Sequence, residues 1–125
     1  MATICILAAH QHLRDALTFN IQTQSQGHLV VVGQASSSPA ELMACAAQAP
    51  DVIVIAIGIE TGNDLRALAH IRQLSPHSRI LAVDTVGAEA IWPGGWEGVD
   101  AVLCSEQLSA ELIPTLMRLA GSKPS

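Results

Sequence analysis

Two of three short apolar runs in this chain end at alanine, and the third ends at an aspartate. The runs span residues 4–7, 52–55 and 80–83, and they lead into Ala8 and Ala9, Ala56, and Asp84. In an open parallel sheet, ligands bind outside the carboxyl ends of the strands, so these positions decide what such a protein can do. A methyl group cannot attack a substrate, bind a metal ion or transfer a proton. The pattern therefore argues against catalysis at these alanines.

Length and composition predict one globular domain. The chain has 125 residues, of which 50% are hydrophobic, and a chain of this size buries roughly two-thirds of its unfolded surface. Its uncharged apolar runs are shorter than the ~18 residues of a membrane span, and its first residues lack the basic segment of a secretory signal. We therefore expect a cytoplasmic protein with no membrane contact. We assign residues 1–121 to the domain and 122–125 to a linker or tail.

Charge and cysteine content limit the possible functions further. The formal net charge is −5 at pH 7, whereas phosphate binding needs a basic surface. We therefore expect no direct nucleic-acid binding by this domain. Cys5, Cys45 and Cys104 are odd in number and lack the CxxC spacing of metal or redox motifs. Buried, reduced thiols are the prediction.

Two kinds of hydrophobic pattern alternate along the chain. Continuous apolar or β-branched segments predict strands, and apolar residues at helical spacing predict helices between them. The predicted strands cover residues 3–9, 28–35, 51–57, 79–83 and 100–104, and the predicted helices 13–24, 39–48, 64–75 and 109–120. Such alternation is typical of a doubly wound parallel sheet.

Helix signals define several of these boundaries. Ser38 and Glu41, with a proline between them, form a capping-box pattern at the start of the second helix. Ser109 is expected to cap the last helix, and Pro114 inside that helix should remove a hydrogen bond or cause a kink. A helix beginning at residues 88–92 meets Pro-Gly-Gly at 93–95. This fourth helix is therefore expected to be short or broken.

Several sequence segments, taken together in their order and spacing, match those of a known protein family. These are Ala-Pro-Asp-Val-Ile-Val-Ile at 49–55, the segment 71–81 that runs through Ser-Pro-His-Ser-Arg, Gly-Val-Asp-Ala-Val-Leu at 98–103, and His10 after the first strand. With them, residues 3–121 resemble the CheY-like receiver domain of bacterial response regulators, especially its NarL/FixJ (LuxR-type) branch. The resemblance implies a five-stranded flavodoxin/CheY-like (βα)5 fold in three α/β/α layers.

The resemblance also assigns a role to each position at the carboxyl edge. Ala8 and Ala9 stand where the family has two acidic residues that hold magnesium, and Ala56 stands where it has the phosphorylated aspartate. Asp84 replaces a threonine or serine that binds the phosphoryl group, and Ser105 replaces a lysine. All five positions depart from the family pattern. We therefore expect a pseudo-receiver that is not an enzyme, with no catalytic residue, metal or cofactor.

Three other interpretations of this edge remain open. His10, His12 and Asp84 are residue types that could bind zinc, although ordinary surface or loop-capping roles are the favoured explanation of the two histidines. The vacated crevice could form a small apolar pocket for a metabolite, which makes a small-molecule sensor the alternative function. A regulator phosphorylated at displaced residues is the third interpretation.

Trp92 and Trp96 flank the proline–glycine break, in the region that matches the family's fourth helix. They could anchor an interface or cover the core beside the shortened helix. By resemblance, the chain is a regulatory, protein-interaction module from the N-terminal part of a LuxR/NarL-type transcription regulator. We expect a protein partner or a homodimer, with DNA contacted only through an output domain.

Overall fold

Strands and helices alternate in the computed structural model, which describes residues 2–36, 38–58, 61–85 and 99–121, with 61–65 described by their backbone. The strands are β1 (Ala2–Leu7), β2 (Leu29–Ala35), β3 (Val52–Ile57), β4 (Arg79–Asp84) and β5 (Ala101–Cys104). The helices are α1 (Gln11–Gln24), α2 (Pro39–Ala47), α3 (Thr61–Leu74) and α4 (Leu108–Gly121), and a short 3₁₀ helix (Ser105–Gln107) precedes α4.

The five strands form one parallel sheet in the order β2-β1-β3-β4-β5. This order is the doubly wound, flavodoxin-like arrangement, and it confirms the predicted fold class. The direction of winding reverses between β1 and β3. The carboxyl ends of these two strands therefore border the crevice in which ligands bind in such folds.

Two apolar layers hold the helices against the sheet. All six residues of β3 and five of the six residues of β4 are buried, because β-branched and aliphatic side chains occupy both faces. On one face, the core joins the sheet to Leu42 of α2 and Ile71 of α3. On the other face, it joins the sheet to Ile21 of α1 and Leu116 of α4. The result is the predicted three-layer α/β/α architecture.

The start of α2 confirms the predicted cap and adds a further serine to it. The Ser38 hydroxyl accepts the backbone N–H of Glu41 at 3.4 Å and donates to the Glu41 carboxylate at 2.9 Å. The backbone N–H of Ser36 donates to the same carboxylate at 3.3 Å, and the Ser36 hydroxyl donates to it as well. The hydrogen bonds from Ser36 and Ser38, together with the charge of Arg14, lower the pKa of Glu41.

The last helix departs from the prediction at its start. The 3₁₀ helix at 105–107 leads directly into α4 at Leu108, so Ser109 lies inside the helix and does not cap it. Pro114 is accommodated within the helix and is exposed. The third helix also begins at Thr61 rather than near residue 64. The predicted break at 88–98, with Trp92 and Trp96, and the tail at 122–125 lie outside the described residues.

The prediction of buried, reduced thiols was wrong in one respect for each cysteine, because Cys5 and Cys45 are buried but oxidised and Cys104 is reduced but exposed. Cys5 and Cys45 are joined as a disulfide, with their Cα atoms 6.4 Å apart, a separation that suits such a bond. They pair because α2 packs on the sheet face toward which the Cys5 side chain points. Cys104 is exposed and carries no disulfide. Among the described residues, no helix is both long enough and apolar enough to span a bilayer.

We expect the Glu41→Gln substitution to lower the melting temperature at pH 7 and to have a smaller effect in acid. A carboxyl group with a lowered folded-state pKa stabilises the protein above its ordinary pKa of 4.5, and this contribution is lost as pH falls through the folded pKa. Thermal unfolding between pH 3 and pH 7 measures the difference. Glu111→Gln, in the first turn of α4, is the matched control. An equal drop in melting temperature at every pH contradicts the assigned role of the Glu41 carboxylate.

Candidate functional site

The structure brings the predicted site positions together at the carboxyl edge of the sheet. Ala8 follows β1, Ala56 lies near the end of β3 and Asp84 ends β4, and they are only 4%, 4% and 5% exposed. Ala9 is half-buried beside Ala8, and Ser105 follows β5 at the surface. Parallel pairing places these ends side by side, since Leu7 pairs with Ile55, Ile57 with Asp84 and Asp84 with Cys104.

The chemistry of this edge is mostly that of methyl groups and backbone. Ala8 and Ala56 line it with buried Cβ atoms, which offer neither a nucleophile nor a metal ligand. Asp84 supplies a buried carboxylate at the end of β4. The Thr85 backbone N–H and hydroxyl both donate to the carbonyl oxygen of Ile57, at 3.0 and 2.9 Å. This hydroxyl therefore ties β4 to β3.

The zinc interpretation is not supported by the arrangement of the histidines. His10 occupies the N-cap position of α1 without a side-chain capping hydrogen bond, and both His10 and His12 are exposed, whereas Asp84 is buried. Within the part of the chain that the structure describes, no three His, Cys, Asp or Glu side chains gather as metal ligands. The metabolite pocket at this crevice stays a prediction.

Sequence reasoning missed Arg14, which reaches the site from α1. Its Nη1 donates to the carbonyl oxygen of Ala8 at 2.6 Å, and the side chain is half-buried. The guanidinium thus lies beside the first of the two positions where the family resemblance places metal-binding acids. With alanine at positions 8 and 9, neither position carries a carboxylate that would draw the guanidinium away from the Ala8 carbonyl oxygen. The pattern of apolar runs gave no signal for this contact, which depends on how α1 folds back onto the end of β1.

At the end of β5, Ser105 stands where the family resemblance places a lysine, so this position carries no positive charge. Ser105 begins the 3₁₀ helix and is exposed. The preceding residue, Cys104, donates its backbone N–H to the Gln107 side-chain oxygen at 3.0 Å. The residues after β5 are therefore organised as a helix-initiating turn. A serine hydroxyl here cannot neutralise a bound dianion as a lysine ammonium does.

Comparison with known proteins identifies the fold and leaves the sequence family unassigned. The chain matches no protein-family model and no curated protein sequence. Its fold is similar to that of the response regulator domain of Thermotoga maritima CheB, with a TM-score of 0.78, 21% identity and 99% of each chain covered. It is also similar to the receiver domain of the response regulator NarL from Mycobacterium tuberculosis, with a TM-score of 0.79, 19% identity and 98% of each chain covered.

A third structure, a LuxR-family two-component response regulator from Aurantimonas, has a TM-score of 0.79 and 19% identity, covering 98% of this chain and 87% of the other. The predicted resemblance to receiver domains is therefore confirmed at the level of the fold. At these identities, the side chains of the site must be interpreted from this chain alone.

We expect Ala56→Asp to lower the free energy of unfolding by about 3 kcal/mol at pH 7, because it buries a carboxylate one strand away from Asp84. Burial and the like charge raise the pKa of the new carboxyl group, so the folded state binds more protons and the deficit shrinks toward pH 4. Urea unfolding at pH 7 and at pH 4 measures the change in the free energy of unfolding. Ala69→Asp, on the exposed side of α3, is the control. If Ala56→Asp leaves the free energy of unfolding unchanged, the apolar description of this edge is wrong.

Proposed function

We propose that this chain is a pseudo-receiver, a receiver-type domain of a two-component response regulator that is not phosphorylated and acts as a regulatory, protein-interaction module. The observation that carries the proposal is Ala56, a buried methyl group at the end of β3 in a chain with the receiver fold. Acyl-phosphate formation needs a carboxylate nucleophile at the site of attack. Alanine cannot supply one.

The surrounding residues support the same proposal. Ala8 and Ala9 provide no carboxylate oxygens for magnesium, which binds proteins through such ligands. Asp84 adds a negative charge at an edge that must accept an anion in a phosphorylated receiver. Ser105 offers no compensating cation. Loss of the nucleophile alone abolishes the reaction, and the other changes remove the groups that would assist it.

Without phosphorylation, a signal must come from binding. A partner changes the conformation of this domain only if it binds one state more tightly than another. Solved neighbours of the LuxR and NarL types support placing the domain in the N-terminal part of a transcription regulator that works in the cytoplasm. With a net charge of −5, the domain itself would contact proteins, and DNA would be bound by an output domain.

The last helix is our proposed surface for self-association. Met117 on α4 is 41% exposed, and an exposed thioether is a side chain that adapts readily to a partner surface. Trp92 and Trp96 stay predicted interface residues, because they lie outside the described part of the chain. A homodimer through α4 would make the domain a fixed dimerisation element.

We expect no phosphorylation when the purified domain is incubated with acetyl phosphate and Mg²⁺. Because the nucleophile is absent, intact-mass spectrometry should detect no gain of ~80 Da. A phosphorylatable receiver treated in parallel is the positive control. A gain in the wild type would overturn the proposal, and its loss in Asp84→Asn would then identify Asp84 as a displaced acceptor.

We expect Met117→Lys to weaken self-association about tenfold or more, since it places a charge at the centre of the proposed contact. Sedimentation velocity over a concentration series measures the dissociation constant. Met43→Lys is the matched control, because Met43 is an exposed methionine of α2 at 58% exposure. A monomeric wild type, or equal effects of both substitutions, counts against α4 as the dimer surface.

A further inference from the structure

The disulfide joins the sheet to α2, the shortest α-helix in the described part of the chain. Cys5 lies in β1 and Cys45 in the last turn of α2, and the two are 40 residues apart in sequence. α2 has nine residues, and only Leu42 and Cys45 among them are buried. A helix this short is not stable on its own in water. Its position on the sheet therefore depends strongly on these two side chains.

A cavity of about 130 Å³ lies beside the disulfide, and Cys5 and Cys45 are among the residues that line it. It exists because the pairing of β1 with β2 shifts by one residue, so that Cys5 pairs with Gly33. Gly33 has no side chain, and a Cβ atom there would lie 3.4 Å from the Cys5 sulfur. The residues that line the cavity are Cys5, Val32, Gly33, Gln34, Glu41, Ala44, Cys45 and Gln48.

The walls of this cavity reach the protein surface. Gln34, Glu41 and Gln48 are exposed, whereas Cys5 and Cys45 at its inner end are 0% and 3% exposed. Small solutes can therefore enter the space beside the two cysteines, and contact with their sulfur atoms requires a movement of α2, of which only Leu42 and Cys45 are buried. A structural disulfide needs no such access.

We propose that Cys5 and Cys45 form a reversible redox site, opened and closed by small reagents that enter this cavity. In the oxidising direction, a hydroperoxide accepts two electrons from the two thiols. Its O–O bond breaks, the S–S bond forms, and the two thiol protons leave with the oxygen atoms as water and, for an organic peroxide, the alcohol. In the reducing direction, a dithiol supplies two electrons and two protons, and it becomes a disulfide itself.

The oxidation state then determines how firmly α2 is held. The disulfide ties α2 to a central strand, whereas two free thiols leave only the packing of Leu42 and its neighbours. Local opening follows the number of contacts that hold a segment. The redox site does not depend on the phosphorylation proposal. The proposed cytoplasmic location is consistent with it, because disulfides there are usually transient or redox-sensing.

Thiol counting on the folded protein tests the reversibility. Iodoacetamide should label neither Cys5 nor Cys45 in the peroxide-treated protein, and both of them after dithiothreitol treatment without denaturant. Renewed peroxide should again protect both from labelling. If the Cys5–Cys45 bond opens only in denaturant, it is a structural disulfide and the proposal is wrong. If peroxide does not form it from the folded, reduced protein, the proposal is also wrong.

Hydrogen exchange tests the effect on α2. We expect amides of residues 39–47 to exchange about tenfold faster or more in the reduced protein and in Cys45→Ala than in the oxidised protein. The Cys104→Ala variant is the control, because Cys104 is exposed and outside the disulfide. Equal exchange of α2 in both redox states overturns the proposed control of this helix.

A glycine substitution tests the route of access. Gly33→Ala places a methyl group 3.4 Å from the Cys5 sulfur, so reduction by dithiothreitol should slow several-fold while the final thiol count stays unchanged. Gly121→Ala is the matched control, because a Cβ atom there meets nothing within 4 Å. An unchanged rate in Gly33→Ala contradicts entry through this cavity.

Discussion

The structure depends on burying both faces of the central strands. β1, β3 and β4 carry aliphatic side chains toward α1 and α4 on one side and toward α2 and α3 on the other. Buried backbone groups must be paired, so the strands have to lie side by side in the parallel ladder that forms the middle of the sheet. Helix placement and the carboxyl-edge crevice both follow from this two-sided burial.

Polar side chains are used differently at the two edges of this sheet. At the amino edge, the Asp51 carboxylate accepts the Thr3 backbone N–H at 2.9 Å, and the Asp100 carboxylate accepts that of Ile80 at 2.8 Å. Asp100 also lies 3.5 Å from Arg79. These carboxylates join neighbouring strands and have a structural role. At the carboxyl edge, Ala8, Ala56 and Asp84 occupy the buried positions, and two of these three side chains are methyl groups.

This distribution explains how a receiver-type fold forms with alanine at the crevice. The strand ends are positioned by apolar packing and by polar contacts at the opposite edge, so the strand pairing does not need polar side chains at positions 8 and 56. An ionised carboxylate at a buried position is itself destabilising when nothing neutralises it. The same physical reason makes alanine a compatible residue at positions 8 and 56.

Sequence and tertiary structure contributed different parts of this description. The hydrophobic periods and the Ser38 cap predicted the elements, since these signals are local. Four of the crevice positions followed from the ends of the apolar runs, and Ser105 followed from the family resemblance. The sequence did not reveal the Cys5–Cys45 bond or the contact between Arg14 and Ala8. Both require α1 and α2 to be placed on the sheet, and the cavity beside Cys5 also requires the shifted pairing of Gly33. Such features depend on register and packing between distant segments, which no local pattern encodes.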